Sequence, residues 1–390
     1  MFSARTAALA AALPLLAGWA SCALAGGLAD YGKGDEPWRE AFRQLGQSRE
    51  GKVRIVQIGD SHTAGDFFSD AARRVLQQAY GRGGIGFVYP GKPAGTQLQT
   101  VSYRGSGWTV TTSRKGKGDF PAGGVIARSA AAGSRVSVRP MPAYRTAEPQ
   151  RVSLLLKSPS GAKAQVAGAN GKKAEIAGGA AWTLAAAEGG FTLPLTVSNA
   201  SGGALEVGAV GIENGKPGVV YSAFGILGSM LSDTKGWRKG WAQDLAAMKP
   251  DLVVLSFGTN ESFADAHHFP AYRKAWESAV DAIRKAAPAA GILIVGAPET
   301  LKNTAGACGT RSKSLARIQL LQKSVAKAKG TLYWSWEEDG MGGACSMKKW
   351  IGKKLAQKDG IHFTKEGYAL SGRRFGEALK ALFAPAPRGE

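Results

Sequence analysis

Ser61 stands in the run QIGDSHTAGDFF, between an apolar stretch and a helical pattern. A strand that ends in a tight turn and feeds a helix displays the turn residue at the carboxyl edge of a sheet, beside the unpaired N–H groups of the first helical turn. That setting makes Ser61 a candidate nucleophile for acyl transfer, with its own N–H helping to hold the oxyanion. The competing reading is a helix cap. A serine nucleophile needs a base, and the chain has four histidines. His62 follows Ser61 directly, and adjacent side chains at such a turn diverge. His267 and His268, in ADAHHFPAY, read as a solvated loop entering a helix. His362, in KDGIHFTKEGYAL, follows Asp359 at Asp-x-x-His spacing, with Gly360 between them. One short loop can thus present a carboxylate to Nδ1–H while Nε2 faces the serine, the division of labour of a Ser-His-Asp triad. Asp359 as the cap of a turn is the alternative. For further oxyanion donors, LSFGTNES places Asn260 just past a predicted strand, and YSAFGILGSMLSD offers Gly225 and Gly228 in a loop. A side-chain amide can donate, and a missing Cβ lets a backbone N–H approach a ligand. An ordinary turn is the alternative at each.

The elements that must position these residues follow from periodicity. VRIVQIG, DLVVLSFG, GILIVGA and TLYWSW read as strands, and WAQDLAAMK, AYRKAWESAVDAIRKAA, SLARIQLLQKSVAKAKG and TKEGYALSGRRFGEALKALF as helices. This alternation builds an α/β domain, a parallel sheet with helices on both faces. From about residue 97 to 215 the texture changes to short alternating runs such as TVSYRGSGWTVTTSR, RVSLLLKS and FTLPLTVSN, separated by Gly, Pro, Ser and Asn. They predict an antiparallel β-sandwich. It is inserted rather than appended, because the strand and helix alternation starts before it and resumes after it.

Composition narrows the class. The 390 residues, 44% hydrophobic, suffice for one large domain or two ordinary ones. Residues 1–25 carry Arg5, an apolar run and Ala23-Leu24-Ala25 before Gly26, the layout of a cleaved signal peptide, so an exported or periplasmic protein is expected. Pro14 interrupts the run, which is short for a stable membrane span, and Trp19 is a poor occupant ahead of a lipidated Cys22. Of the three cysteines, Cys308 and Cys345 remain after cleavage, and an oxidising compartment pairs them as a disulfide. No Cys-x-x-Cys occurs. The formal charge of +21 points to an anionic partner. Export argues against nucleic acid and for cell-wall glycan, with its lactyl and peptide carboxylates. Basic residues scattered as in RKGK at 114–117 also fit a merely solvated surface.

Taken in order, Gly59-Asp60-Ser61, the Gly228 loop, Gly258-Thr259-Asn260 and Asp359-Gly360-Ile361-His362 resemble the four blocks of the SGNH, or GDSL-type, hydrolases. The resemblance implies a flavodoxin-like three-layer domain, with Ser61 as nucleophile, Asp359 and His362 as its triad partners, and Ser61, Gly228 and Asn260 as the oxyanion hole. Glu261 replaces the Asp that often follows the asparagine. More narrowly, QIGDSHTAGDFF, GRGGIGFVYPG, GTNES and the β-rich insert are similar to the periplasmic peptidoglycan O-acetylesterases. That likeness implies a signal peptide at 1–25, a hydrolase domain over 26–96 and 216–390, and a carbohydrate-binding-module-like insert over 97–215. The implied activity removes acetyl groups from the C6 hydroxyl of N-acetylmuramoyl residues through an acetyl-enzyme, with no cofactor or metal and as a monomer. Activity should fall as His362 takes a proton. An O-acetyltransferase, or an esterase for another acetylated polysaccharide, would use the same residues. A metal-dependent phosphoesterase is a poorer fit, since Asp60-Ser61-His62 is formally Asp-x-His but Asn260 has no adjacent histidine. A non-catalytic glycan-binding protein would leave the triad unexplained.

Overall fold

Five parallel strands make the central sheet: β1 (Lys52–Gly59), β2 (Gly218–Gly225), β3 (Leu252–Ser256), β4 (Gly291–Gly296) and β5 (Leu332–Ser335), in the spatial order β2-β1-β3-β4-β5. The computed structural model describes residues 22–23, 27–264 and 268–384; the body of the expected signal peptide and His267 lie outside them. The short strand Ala29–Asp30 adds antiparallel to the outer edge of β5. This is the flavodoxin-like order, in which the chain reverses direction of growth between β1 and β3 and leaves a crevice at the carboxyl ends of those strands. Gly59 pairs with Gly225 of β2 on one side and with Ser256 of β3 on the other, so three strands end at one level. Their following loops leave from the same edge.

The helices that cover the sheet are α1 (Trp38–Gln47), α2 (Phe67–Tyr80), α3 (Trp241–Ala247), α4 (Phe269–Ala286), α5 (Leu315–Lys329) and α6 (Lys365–Lys380). Strand side chains alternate between two apolar layers, as the pleat requires. Val53, Ile55, Val254, Leu293 and Trp334 pack with Phe42 of α1, Phe68 and Leu76 of α2 and Phe375 of α6. Val56, Ile58, Val253, Leu255 and Ile294 pack with Leu245 of α3, Val280 of α4 and Ile318 and Val325 of α5.

Between α2 and β2 the chain builds two antiparallel sheets. One runs Lys173–Ala177, Lys163–Gly168, Leu195–Asn199, Arg135–Pro140, Val101–Ser106. The other runs Thr183–Phe191, Gln150–Lys157, Leu205–Asn214, Val125–Ser129, Thr109–Thr112, and Gly84–Val88 also pairs with Leu205–Asn214. Val138, Val166 and Val197 of the first sheet meet Leu154, Leu156 and Val207 of the second. The second sheet's opposite face is apolar as well, because Ile126, Leu155 and Ala209 share a core with Val56, Ile58 and Phe224 of the α/β domain. A buried ion cluster adds to this junction. Arg73 of α2 pairs with Asp66 at 3.0 Å and Asp70 at 2.9 Å, while Tyr144, from the connection between Arg135–Pro140 and Gln150–Lys157, donates to Asp70.

After β4, a hairpin of Leu301–Asn303 and Thr310–Arg311 carries Cys308, which is bonded to Cys345. Buried Glu299 grips the same segment, accepting the N–H groups of Cys345 at 3.1 Å and Met347 at 2.7 Å. Leu301 N–H donates to the Gly360 carbonyl at 2.8 Å, so this hairpin backs the loop of Asp359 and His362. The bond spans 37 residues, and closing a loop of that length stabilises a fold by up to about 4 kcal/mol. Replacing Cys308 and Cys345 together by Ser should therefore lower the thermal midpoint, and reductant should lower it in the wild type alone. Identical melting of both proteins with and without reductant would contradict this.

Candidate active site

Ser61 opens a short helix, Ser61–Ala64, immediately after β1. The cap of that helix is Asp60, whose carboxylate accepts the N–H of His62 at 2.9 Å. The helix-cap reading of Ser61 is thereby removed, since its neighbour does that work. Ser61 N–H, at the first helical position, has no intrahelical acceptor. Ser61 Oγ lies 3.1 Å from His362 Nε2, and His362 Nδ1 lies 2.8 Å from Asp359 Oδ2. The other Asp359 oxygen accepts the N–H groups of Ile361 at 2.8 Å and His362 at 2.9 Å. Partial burial opposes the Asp359 charge, but the bond from the His362 ring and those two backbone bonds outweigh it and hold the carboxyl below its usual range. Gly360 makes the turn possible, with φ of 71°.

His62 is not the base. Its ring is buried beside Trp336, Phe363 and Tyr368, Nδ1 lies 2.9 Å from the Tyr368 hydroxyl, and its ring centroid is 5.5 Å from that of His362. Burial pushes its pKa down to about 3, so it is a neutral packing partner behind His362. His268 is exposed at the start of α4, beside Tyr272.

The residues expected to supply further donors follow β2 and β3. Gly225 is the last residue of β2, packed against Ala64, whereas Gly228 lies in the loop beyond it with φ of 68°. Asn260 Nδ2 donates to the Ser229 carbonyl at 2.8 Å. Glu261, which stands where an Asp often follows the asparagine, is buried and accepts the N–H of Leu231 at 2.9 Å. Asp233 accepts the Met230 N–H at 3.0 Å and the Ser229 hydroxyl at 3.3 Å. The Gly228 loop is thus held on both sides by carboxylates, Glu261 and Asp233, whose partners the sequence did not indicate. Asp60 had a signal, an Asp directly before a helix start; Glu261 and Asp233 had none. Among the described residues no group of three His, Cys, Asp or Glu side chains is placed to hold a metal ion, and no helix is long and apolar enough to cross a membrane. The side chains of His362 and Asp359 are 41% and 44% exposed, which leaves the site open to a polymer and to water.

Such an arrangement can carry acyl transfer, and comparison with known proteins bears on which kind. Residues 199–370 match the GDSL-like lipase/acylhydrolase family, and residues 83–196 match the peptidoglycan O-acetylesterase N-terminal family. A solved peptidoglycan O-acetylesterase is 40% identical over 91% of this chain and 99% of that one, with a TM-score of 0.84. Family two carbohydrate esterases from Clostridium thermocellum (13% identity, 65% of this chain and 94% of that one, TM-score 0.29) and Cellvibrio japonicus (9%, 73% and 98%, 0.29) are too distant to bear on function. No curated protein matches. With 40% identity sustained over nearly the full length of both chains, this protein belongs to the peptidoglycan O-acetylesterase family, within the GDSL-like acylhydrolases.

Proposed function

We propose that this chain is a serine esterase that removes O-acetyl groups from the C6 hydroxyl of N-acetylmuramoyl residues in peptidoglycan. The observation that carries the reading is the continuous line from Ser61 Oγ through the His362 ring to Asp359. Neutral His362 takes the Ser61 proton as Oγ attacks the acetyl carbonyl. Ser61 N–H, Gly228 N–H and the second Asn260 amide hydrogen hold the oxyanion, and the His362 cation, stabilised by Asp359, returns its proton to the departing sugar oxygen. Water repeats the sequence on the acetyl-enzyme, and the exposure of His362 favours water over a gated acceptor. The hydrolase domain comprises 26–83 and 216–390, and the insert, expected from sequence at 97–215, starts earlier, because Gly84–Val88 pairs with Leu205–Asn214 of its second sheet; the mature enzyme works as a monomer outside the cytoplasm after loss of residues 1–25.

Two buried carboxyls lie under this site. Burial pushes Asp60 and Glu261 each up to about 7, and the Glu261 charge adds to the shift at Asp60. Protonated, they add no negative charge beneath a developing oxyanion.

Replacing Ser61 by Ala should cut acetate release from O-acetylated peptidoglycan by at least about 10³-fold with glycan binding retained. Full activity in that variant would eliminate the serine mechanism. A second expectation concerns stability against pH. Between about pH 4 and pH 7 the folded protein holds the Asp60 and Glu261 protons and the unfolded chain releases them, so these groups make stability fall as pH rises through that window. Glu261→Gln keeps an acceptor for Leu231 N–H without the charge, and should flatten the fall. Urea titrations from pH 4 to pH 8 read the slopes directly; parallel slopes in the two proteins would rule the coupling out.

A further inference from the structure

One charged side chain of the insert reaches the loop that follows β2. Arg114 sits in the turn after Thr109–Thr112, and its Nη1 donates to Asp233 Oδ2 at 2.7 Å, the oxygen that also accepts Met230 N–H. The base of the turn is fixed to the α/β domain, with Trp237 Nε1 donating to the Ser113 hydroxyl at 3.1 Å and Arg238 N–H to the Phe120 carbonyl at 2.8 Å. A Cβ built on Gly228 would meet Arg114 Nη2, Cζ and Nε at 3.7, 3.8 and 3.8 Å, so the guanidinium lies flat over the open side of that glycine. Among the described residues no acceptor meets Nε or Nη2. Arg114 and Lys115 also line a cavity of about 240 Å³ whose other wall includes Gly225, Ile226 and Leu227. Leu227, next to Gly228, is one of the few large apolar side chains left exposed.

A guanidinium with one edge committed and the other open is a receptor for a carboxylate, and a second cation on the same turn strengthens the field. With Gly228 N–H at the oxyanion, as proposed above, that receptor borders the place of the acetyl carbonyl. We propose that Arg114 is a specificity-determining residue through which the insert selects acetylated glycan bearing a carboxylate near the ester. The inference rests on the substrate reading above, in which each muramoyl unit carries a lactyl group and peptide carboxylates on the sugar that bears the acetyl.

The test compares kcat/KM for O-acetylated peptidoglycan with that for 4-nitrophenyl acetate in the full chain, in wild type, Arg114→Gln and Arg114→Lys. The polymer-to-small-ester ratio should fall about tenfold in Arg114→Gln, through KM, and recover in part in Arg114→Lys. Added salt should lower the wild-type ratio. A ratio unchanged in Arg114→Gln overturns the proposal, including the case in which both activities fall together because the arginine only steadies the loop through Asp233. Wild type that spares peptidoglycan yet deacetylates acetylxylan would instead overturn the substrate reading itself.

Discussion

Everything at the site depends on the register that pairs Gly59 with both Gly225 and Ser256. Neighbouring strands lie about 4.8 Å apart, so three loops that leave from one level begin within reach of a single acyl group. The middle strand delivers Ser61, and its two neighbours deliver Gly228 and Asn260. A slip of one residue in either ladder would move a donor along the strand by about 3.3 Å and turn its side chain to the other face of the sheet. Backbone pairing, buried on both sides by apolar layers, therefore sets the coarse geometry before any polar contact is made.

The polar contacts then fix what the ladder leaves loose. The loop after β2 is not regular, and its backbone groups are claimed one by one: Ser229 carbonyl by Asn260, Leu231 N–H by Glu261, Met230 N–H by Asp233. A loop held in this way would need no reorganisation when charge develops beside it, which is where the oxyanion site proposed here would gain over water. The carboxyls divide according to their surroundings. Asp359, near the surface and fed by three N–H donors, stays ionised, while Asp60 and Glu261, sealed under the loops, hold protons toward neutral pH.

Fold class and the meeting of Ser61, Asp359 and His362 were legible because each rests on local sequence: an apolar run ending in Gly-Asp-Ser, and a loop short enough that Asp-x-x-His closes on itself. Asn260 was legible for the same reason, as the residue just beyond β3. What could not be read was partnering between segments that carry no motif. Nothing in the sequence near Glu261 indicates Leu231, and nothing near Arg114 indicates Asp233, because those contacts exist only once β2, β3 and the insert have docked. His62 shows the reverse limit. Its adjacency to Ser61 excluded it as a base, but that it would be buried against Trp336, Phe363 and Tyr368 is a consequence of where α6 and the segment after β5 pack.

The insert shows how a local pattern can carry more than it first suggests. Within RVSLLLKS, a strand with one wet face would alternate, yet Leu154, Leu155 and Leu156 are consecutive and all buried. Leu154 and Leu156 face the sandwich core, while Leu155 faces Val56 and Ile58 of the parallel sheet's layer. A continuous apolar run in an antiparallel strand is thus the mark of a sheet buried twice, by its partner sheet and by another domain. Removing the insert would expose the α/β side chains that pack against that second face, Phe224 and Trp237 among them. The sandwich is therefore part of the same hydrophobic unit as β1, the strand that leads into Ser61, and that shared core is what sets Arg114 of the insert beside Asp233 and Gly228.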